Sequence, residues 1–161
     1  MTLSELKKQA GIASEAVLNS YSILFFVNNR WMALAVLAAS FLNFYAGLSG
    51  FIATAVAVVV AMMLGFNSSQ VRTGIYSFNA LITGIGLGTF FDPGFVFFVL
   101  LILASLLTLI ISMAMSGWLF KYGLPYLSIP FVFTFWILLL PATEYANLGL
   151  TYRNIFWMNE L

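Results

Sequence analysis

The sequence predicts an all-α integral membrane protein, and its composition and length carry that prediction. Hydrophobic residues make up 63% of the chain, charged residues only 7%, and the mean hydropathy is +1.05, whereas soluble domains carry roughly 25% charged residues. Since one membrane-crossing helix needs ~20 apolar residues, a chain of this length holds about five spans. We therefore expect residues 1–161 to form a single transmembrane domain with no aqueous domain.

Charge and composition also exclude several functional classes. The net charge is only +1, and no Lys/Arg cluster provides an electrostatic footprint for nucleic acid. The chain has no Cys and no His, which removes thiol catalysis and the commonest metal ligand. Asp92 and Glu144 are isolated near expected membrane edges and form no acid–base pair. We expect no nucleic-acid partner, no metal, no cofactor and no enzymatic activity.

The N-terminal region predicts two separate elements. Thr2 to Glu5 has the spacing of a capping box, which opens an amphipathic surface helix within residues 1–15 that carries Lys7 and Lys8. Residues 18–27 are apolar but too short to cross a bilayer. They predict a partial or re-entrant helix.

Charged residues mark the membrane edges, because burying a charge in lipid is costly. The long apolar run after Arg30 is interrupted by Asn43 and by Gly47 to Gly50, so it predicts two spans. Asp92, followed by Pro93, separates the next two. The first four predicted spans are 31–46, 49–66, 73–91 and 93–120.

The last apolar run, residues 122–143, contains Pro125 and Pro130. Two prolines in one run deny backbone donors and prevent a single smooth helix. We expect a short half-helix followed by a span, a broken backbone that at membrane depth indicates a solute pathway. A proline kink near a helix end is an equally weighted alternative.

Small residues predict close helix packing in the third and fourth spans. Gly84 and Gly88 have the small-xxx-small spacing that lets transmembrane helices approach each other. On the fourth span, small or hydroxylated residues recur on one face, where they either pack and hydrogen-bond between helices or line a pathway. These residues are Ala104, Thr108, Ser112 and Ser116.

The apolar spans favour a neutral solute, because ion transport leaves intramembrane charges and here every charge fits a membrane edge. Near the start of the third span, Tyr76, Phe78 and Asn79 supply two aromatic rings and an amide. Such a wall can present ring faces and hydrogen-bonding groups to a small polar molecule. For Tyr76, an interfacial aromatic belt is the alternative.

Two segments resemble motifs of the urea transporter family. Residues 74–84 (GIYSFNALITG) resemble that family's segment GLYGFNGxLVG, and residues 124–131 (LPYLSIPF) resemble its signature LPxxTxPF. The order and separation of the two motifs also fit. The resemblance covers about residues 16–143, which is most of one family repeat.

The resemblance implies five transmembrane helices and a re-entrant helix per repeat, two inverted repeats per protomer, trimers, and passive conduction of urea. It places Phe78 as the aromatic side of a narrow slot and Ile82 as its aliphatic wall in place of Leu. Ser128 supplies the hydroxyl in place of Thr. Leu24 and Phe26 would line the entrance, with Asn79 nearby. The signature residues are Leu124, Pro125, Pro130 and Phe131.

This chain departs from the family pattern at the mouth and in length. Ile23 stands where the family commonly has Gln, and Arg30 stands where it has Pro. No second copy of either motif is present. The other half therefore comes from a longer reading frame, a separately encoded repeat, or a second copy inserted in the opposite orientation.

The sequence thus leaves several functions open. The first hypothesis is a channel-like unit for urea or a similar small neutral amide in the inner cell membrane, completed as a homo-oligomer or by a second repeat-containing chain. Its alternatives are a channel for another small neutral solute and a non-conducting membrane scaffold or regulatory subunit.

Overall fold

The first helix joins two regions that the sequence predicts as separate. A computed structural model describes residues 3–140, and in it α1 covers Leu3–Ile23 without a break. Its second half is not a surface helix, because Ala16, Ser20 and Tyr21 are fully buried. The predicted division between residues 1–15 and 18–27 is therefore wrong, since no proline or turn residue interrupts the helix there. Thr2 of the predicted capping box lies outside the described residues.

The break between the next two helices occurs at Asn43. Helix α2 covers Arg30–Ser40 and α3 covers Phe44–Met63. The Asn43 side chain caps α3 by accepting a hydrogen bond from the Ala46 N–H at 3.3 Å. Gly47 to Gly50 lie inside α3, so the predicted interruption there is wrong. Gly47 instead lets α3 approach the end of α2, because a Cβ at this position would lie 2.8 Å from the Ser40 carbonyl oxygen.

The third predicted span, residues 73–91, begins with a turn before its helix, and a short helix precedes it. Helix α4 covers Ser68–Arg72 and α5 covers Phe78–Phe90. Gly74, in the turn between them, has φ +80°, and a Cβ added there would lie 2.6 Å from the backbone nitrogen of Ser20. This turn therefore depends on glycine both for its conformation and for its contact with α1.

The fourth predicted span is confirmed within two residues. Helix α6 covers Phe95–Leu119 and continues as a 3-10 turn over Phe120–Tyr122. Of the face with small or hydroxylated residues, Ala104, Thr108 and Ser112 are buried, and the Thr108 hydroxyl lies 3.2 Å from that of Thr83 on α5. This part of the face packs between helices.

The proline-bearing run forms a single helix preceded by an irregular segment. Helix α7 covers Ile129–Leu139, with Pro130 in its first turn, where the missing N–H costs no helical hydrogen bond. No helix forms over residues 123–128, so the predicted half-helix is wrong. Pro125 lies in this irregular segment, where Leu127 has φ +44°. The predicted span beyond residue 140 lies outside the described residues.

Close backbone contact holds α3 against α5. A Cβ on Gly84 would lie 2.6 Å from the Ser49 carbonyl oxygen, and one on Gly88 would lie 2.7 Å from the Tyr45 carbonyl oxygen. The predicted small-residue packing is confirmed at both positions. Around this contact, a buried apolar cluster fills the space between α3, α5 and α6: Ala53, Leu87, Phe91, Phe97, Leu101 and Ala104.

The described residues form helices joined by turns and irregular segments, with one bridge residue at Phe91. By length and composition, Phe44–Met63 and Phe95–Tyr122 can each cross a membrane. Helices α2, α5 and α7 are apolar but have only 11, 13 and 11 residues. The described part of the chain therefore contains two full-length apolar helices and three shorter ones. The irregular segments 73–77 and 123–128 directly precede two of the shorter ones, α5 and α7.

Candidate solute pathway

The irregular segment before α7 is joined to α5 through Asn79. This side chain is fully buried, and its Nδ2 donates a hydrogen bond to the Leu127 carbonyl oxygen at 3.0 Å. Its Oδ1 accepts from the Phe131 backbone N–H at 3.4 Å. Irregular backbone in a membrane domain needs such partners, because lipid offers none. Asn79 therefore fixes the end of the segment that leads into α7.

Two aromatic rings lie beside this junction. Phe78 and Tyr126 stack with their ring centroids 6.3 Å apart and their planes 27° apart, and both are buried. The Tyr126 hydroxyl donates to the Ile75 carbonyl oxygen at 2.6 Å. Because this bond fixes the tyrosine ring, the stack presents a rigid apolar surface.

A cavity of about 420 Å³ opens next to the stacked rings. Four of the pathway and signature residues assigned from the sequence line it: Phe26, Phe78, Leu124 and Pro125. Most other lining groups are also apolar, including Ile23, Ile75 and Phe120. Polar side chains enter the cavity from Gln70, Tyr76 and Ser116, and none of the described lining residues is charged. Ser116 is thus the member of the α6 small-residue face that reaches a cavity.

The remaining sequence-selected residues lie around the cavity rather than in its lining. Leu24 is half-buried against the cluster of Tyr21, Ala33 and Leu81. Ile82 is half-buried on α5, one turn beyond Phe78, and Ser128 is exposed at the start of α7. Pro130 is buried. The Phe131 ring packs on that of Phe135 with centroids 5.4 Å apart.

One side of the cavity is open. Phe26 is 76% exposed and Leu124 is 57% exposed, although both are large apolar residues. Leu127 and Ser128 are exposed beside them. Several sequence-selected residues therefore lie along an exposed edge of this cavity.

The sequence argument missed Gln70 and Tyr126. Gln70 lies in α4, where the segment Asn67 to Gln70 shows only a turn-like polar composition. Its approach to the cavity depends on the fold of residues 70–76, which no short motif encodes. Tyr126 occupies an unspecified position of the proline-bearing motif, so only its distance from Phe78 shows its role.

Apolar helices around an uncharged, partly open cavity define an integral membrane protein of the channel and transporter class. Within that class, the family model described as "Urea transporter" matches residues 14–155. The chain belongs to the urea transporter family, and the resemblance drawn from its two motifs is confirmed. The chain is accordingly a membrane-embedded protein of a transport family and not an enzyme.

Curated relatives agree with this assignment. The chain is 30% identical over 129 residues to urea transporter 1 of Ovis aries and to that of Capra hircus, matches that cover 78% of this chain and 34% of each relative. It is 29% identical over 119 residues to urea transporter 1 of Rattus norvegicus, covering 71% of this chain and 31% of the relative. The chain thus spans about a third of the length of the curated relatives it matches.

Proposed function

We propose that this chain forms one wall of a pore through which urea, or a similar small neutral amide, passes down its concentration gradient. The observation that carries the proposal is the cavity beside the stacked rings of Phe78 and Tyr126, whose described lining residues include a few polar side chains and no charged one. Membership of the urea transporter family supports urea as the solute. No covalent chemistry is required.

The chemistry of the cavity fits this solute. Urea is planar and has four N–H donors and one carbonyl acceptor, so flat ring faces and a few hydrogen-bonding groups can replace its lost water. Ions have no such compensation in this cavity, and their desolvation is far more costly than that of a neutral amide. In this proposal Phe78 and Ile82 form the slot, and the exposed Ser128 hydroxyl supplies an acceptor farther along the wall.

We further propose that the repeat crosses the membrane five times, with α1 as a re-entrant element. At 1.5 Å per residue, an 11-residue helix is roughly 16 Å long, about half of a ~30 Å hydrocarbon core. Helices α2 and α7 therefore complete their crossings through adjoining segments, and α4 with α5 forms one crossing. The α4–α5 crossing and the irregular segment before α7 line the cavity, where irregular backbone is tolerated.

The open edge of the cavity requires a second wall. Arg30, Arg72 and Lys121 lie at one end of the bundle, where α2 starts and α4 and α6 end. Asp92 lies at the other end, between α5 and α6. Because basic residues favour the cytoplasmic side, this distribution supports one orientation, with the basic end facing the cytoplasm. The membrane in this proposal is the inner cell membrane. It favours a separate repeat over an inverted second copy as the other wall.

Orientation is tested with a single cysteine, since the chain has none. A Ser69→Cys variant places the thiol at an exposed position of the basic end. In intact cells, we expect it to react with a membrane-permeant maleimide and to resist an impermeant one. If the chain inserted equally in both orientations, the impermeant maleimide would label about half as much protein as the permeant one. That result would refute the single orientation.

Conduction is tested by urea efflux from liposomes that contain the purified chain. With the second repeat also present, we expect efflux faster than from empty liposomes, and we expect Phe78→Ala to slow it by about two- to tenfold, the range that corresponds to loss of one aromatic contact. Phe98→Ala is the matched control, because Phe98 lies on α6 outside the cavity. Equal effects of the two variants would contradict the assigned slot.

The same assay separates conduction from a scaffold role. If the folded and inserted chain gives no faster efflux at any protein-to-lipid ratio, it does not conduct alone. Addition of the second repeat then decides: restored efflux identifies this chain as half of the pore, and no efflux identifies a non-conducting subunit.

A further inference from the structure

Three polar side chains enter the otherwise apolar cavity from one flank. Gln70 comes from α4, Tyr76 from the turn before α5, and Ser116 from the last turns of α6. The fourth polar side chain, Tyr126, already donates its hydroxyl proton to the Ile75 carbonyl oxygen. Polar contact with a solute in this cavity therefore falls to Gln70, Tyr76 and Ser116, which we call the polar flank.

Gln70 is held in place by its neighbour. The Tyr76 hydroxyl donates a hydrogen bond to Gln70 Oε1 at 2.7 Å, and the Tyr76 ring packs on Phe66 with centroids 5.2 Å apart. The Gln70 backbone carbonyl oxygen accepts from the Thr73 hydroxyl at 2.7 Å. These contacts fix both ends of the residue. The bond to Oε1 leaves the two N–H donors of the carboxamide for another partner.

Elsewhere in the same cavity, Ile23 offers no such group. Ile23 and Gln70 both line the cavity, but Ile23 stands where the resembling family commonly has Gln. An apolar side chain cannot hydrogen-bond a solute that gives up its water on entry, and an amide solute left without partners carries the full desolvation cost. A donor elsewhere in the cavity removes that cost.

We propose that Gln70, positioned by Tyr76, binds the carbonyl oxygen of an amide solute at the entrance and supplies the polar contact that Ile23 lacks. The proposal rests on the proposed function, and it names a residue that sets which solute is admitted. Gln70 N–H groups bind the solute carbonyl, while the Tyr76 and Ser116 oxygens accept from its N–H groups. The class recognised is a small, uncharged molecule with a carbonyl flanked by N–H.

A cysteine reporter measures this binding without a complete pore. Leu124→Cys places a single thiol in the cavity at a position that is 57% exposed in the parent chain. We expect urea to slow its reaction with a maleimide in a saturable way. Phe95→Cys is the control, because Phe95 is 86% exposed at the start of α6 and lies outside the cavity. Its labelling should not change at the same urea concentrations.

In the Leu124→Cys background, Gln70→Leu should raise the half-protecting urea concentration about fivefold, the factor for loss of one hydrogen bond. Tyr76→Phe should raise it by a similar factor, because the Tyr76 acceptor is lost and Gln70 is no longer held. Gln9→Leu makes the same chemical change on the exposed first half of α1 and should leave it unchanged. Adding Ile23→Gln to Gln70→Leu should restore protection, which a merely structural role of Gln70 does not predict.

The outcomes separate this proposal from the pore itself. It is overturned if the folded chain shows no urea protection, if Gln70→Leu matches Gln9→Leu, or if Ile23→Gln fails to restore protection. If the liposomes conduct urea and Gln70→Leu leaves the protection unchanged, the proposed function stands and only the role of Gln70 is refuted. If protection depends on Gln70 but the chain does not conduct even with its second repeat, the binding role of Gln70 stands and only the pore function is refuted.

Discussion

The two faces of α5 differ in how they are covered. On one face, Leu81, Gly84 and Gly88 are buried against α3, with backbone so close that a Cβ on either glycine would lie less than 3 Å from neighbouring atoms. On the other face, Ile82 and Gly86 lie toward α7 and are only half-buried. One helix therefore separates a fully packed scaffold from a partly open wall.

The contrast shows that the two faces gain stability in different ways. The α3 face gains it from close packing, which is possible because glycines remove the side chains that would keep the backbones apart. The α7 face packs Phe135 against Gly86 and adds directional contacts, above all the hydrogen bonds of Asn79 and the stacking of Phe78 on Tyr126. Close packing excludes a passage, whereas widely spaced directional contacts leave room for one.

The packed face gives the largest expected effect of mutation. In Gly84→Ala, the new Cβ would meet the Ser49 carbonyl oxygen at 2.6 Å and the Gly50 Cα at 2.8 Å, and these backbone atoms cannot rotate away. Overpacking of this kind costs about 3 kcal/mol. We expect a large fall in the thermal unfolding temperature of the purified protein in detergent.

Gly117→Ala provides the matched control on α6. Nothing lies within 4 Å of a Cβ added at Gly117, and alanine is favoured over glycine inside a helix by about 1 kcal/mol. The two Gly-to-Ala changes should thus shift the unfolding temperature in opposite directions. A fall of similar size in both variants would show that the contrast between packed and open surfaces does not control stability.

Much of the fold was predictable because charge and helix-breaking residues are scarce. The helical fold and the course of α6 followed from apolar runs between charged residues, and Gly84 and Gly88 marked the packed face. The errors arose where a local signal competes with tertiary contact. Gly47 to Gly50 predicted a break, yet these residues remain helical because α3 uses them to approach its neighbours.

The open face was less predictable. Motifs identified Phe78, Leu124 and Pro125, and all three line the cavity. The contacts that organise it connect residues far apart in sequence, such as Asn79 with Leu127 and Tyr126 with Ile75. Gln70 contacts Tyr76 only because residues 70–76 fold back on themselves, which depends on turn geometry that composition does not specify.

The smaller expected effect lies on the open face, at Asn79. Asn79→Leu keeps the size of the side chain but leaves the Leu127 carbonyl oxygen and the Phe131 N–H without the partners they now have. We expect a loss of about 2 kcal/mol in the free energy of unfolding, because each group is only part-buried and water replaces some of the lost bonding. The thermal unfolding temperature should fall by less than in Gly84→Ala, while the irregular segment loosens.

That loosening distinguishes the two faces directly. In a Ser128→Cys reporter, Asn79→Leu should speed maleimide labelling several-fold, because the segment that carries residue 128 is then tethered only through Tyr126 and the chain itself. Asn67→Ala is the control, since Asn67 caps α4 at an exposed position and bonds only within its own turn; it should leave labelling at residue 128 unchanged. Unchanged labelling in Asn79→Leu would mean that packing, not the Asn79 hydrogen bonds, holds the open wall. Both faces of α5 would then be stabilised by packing.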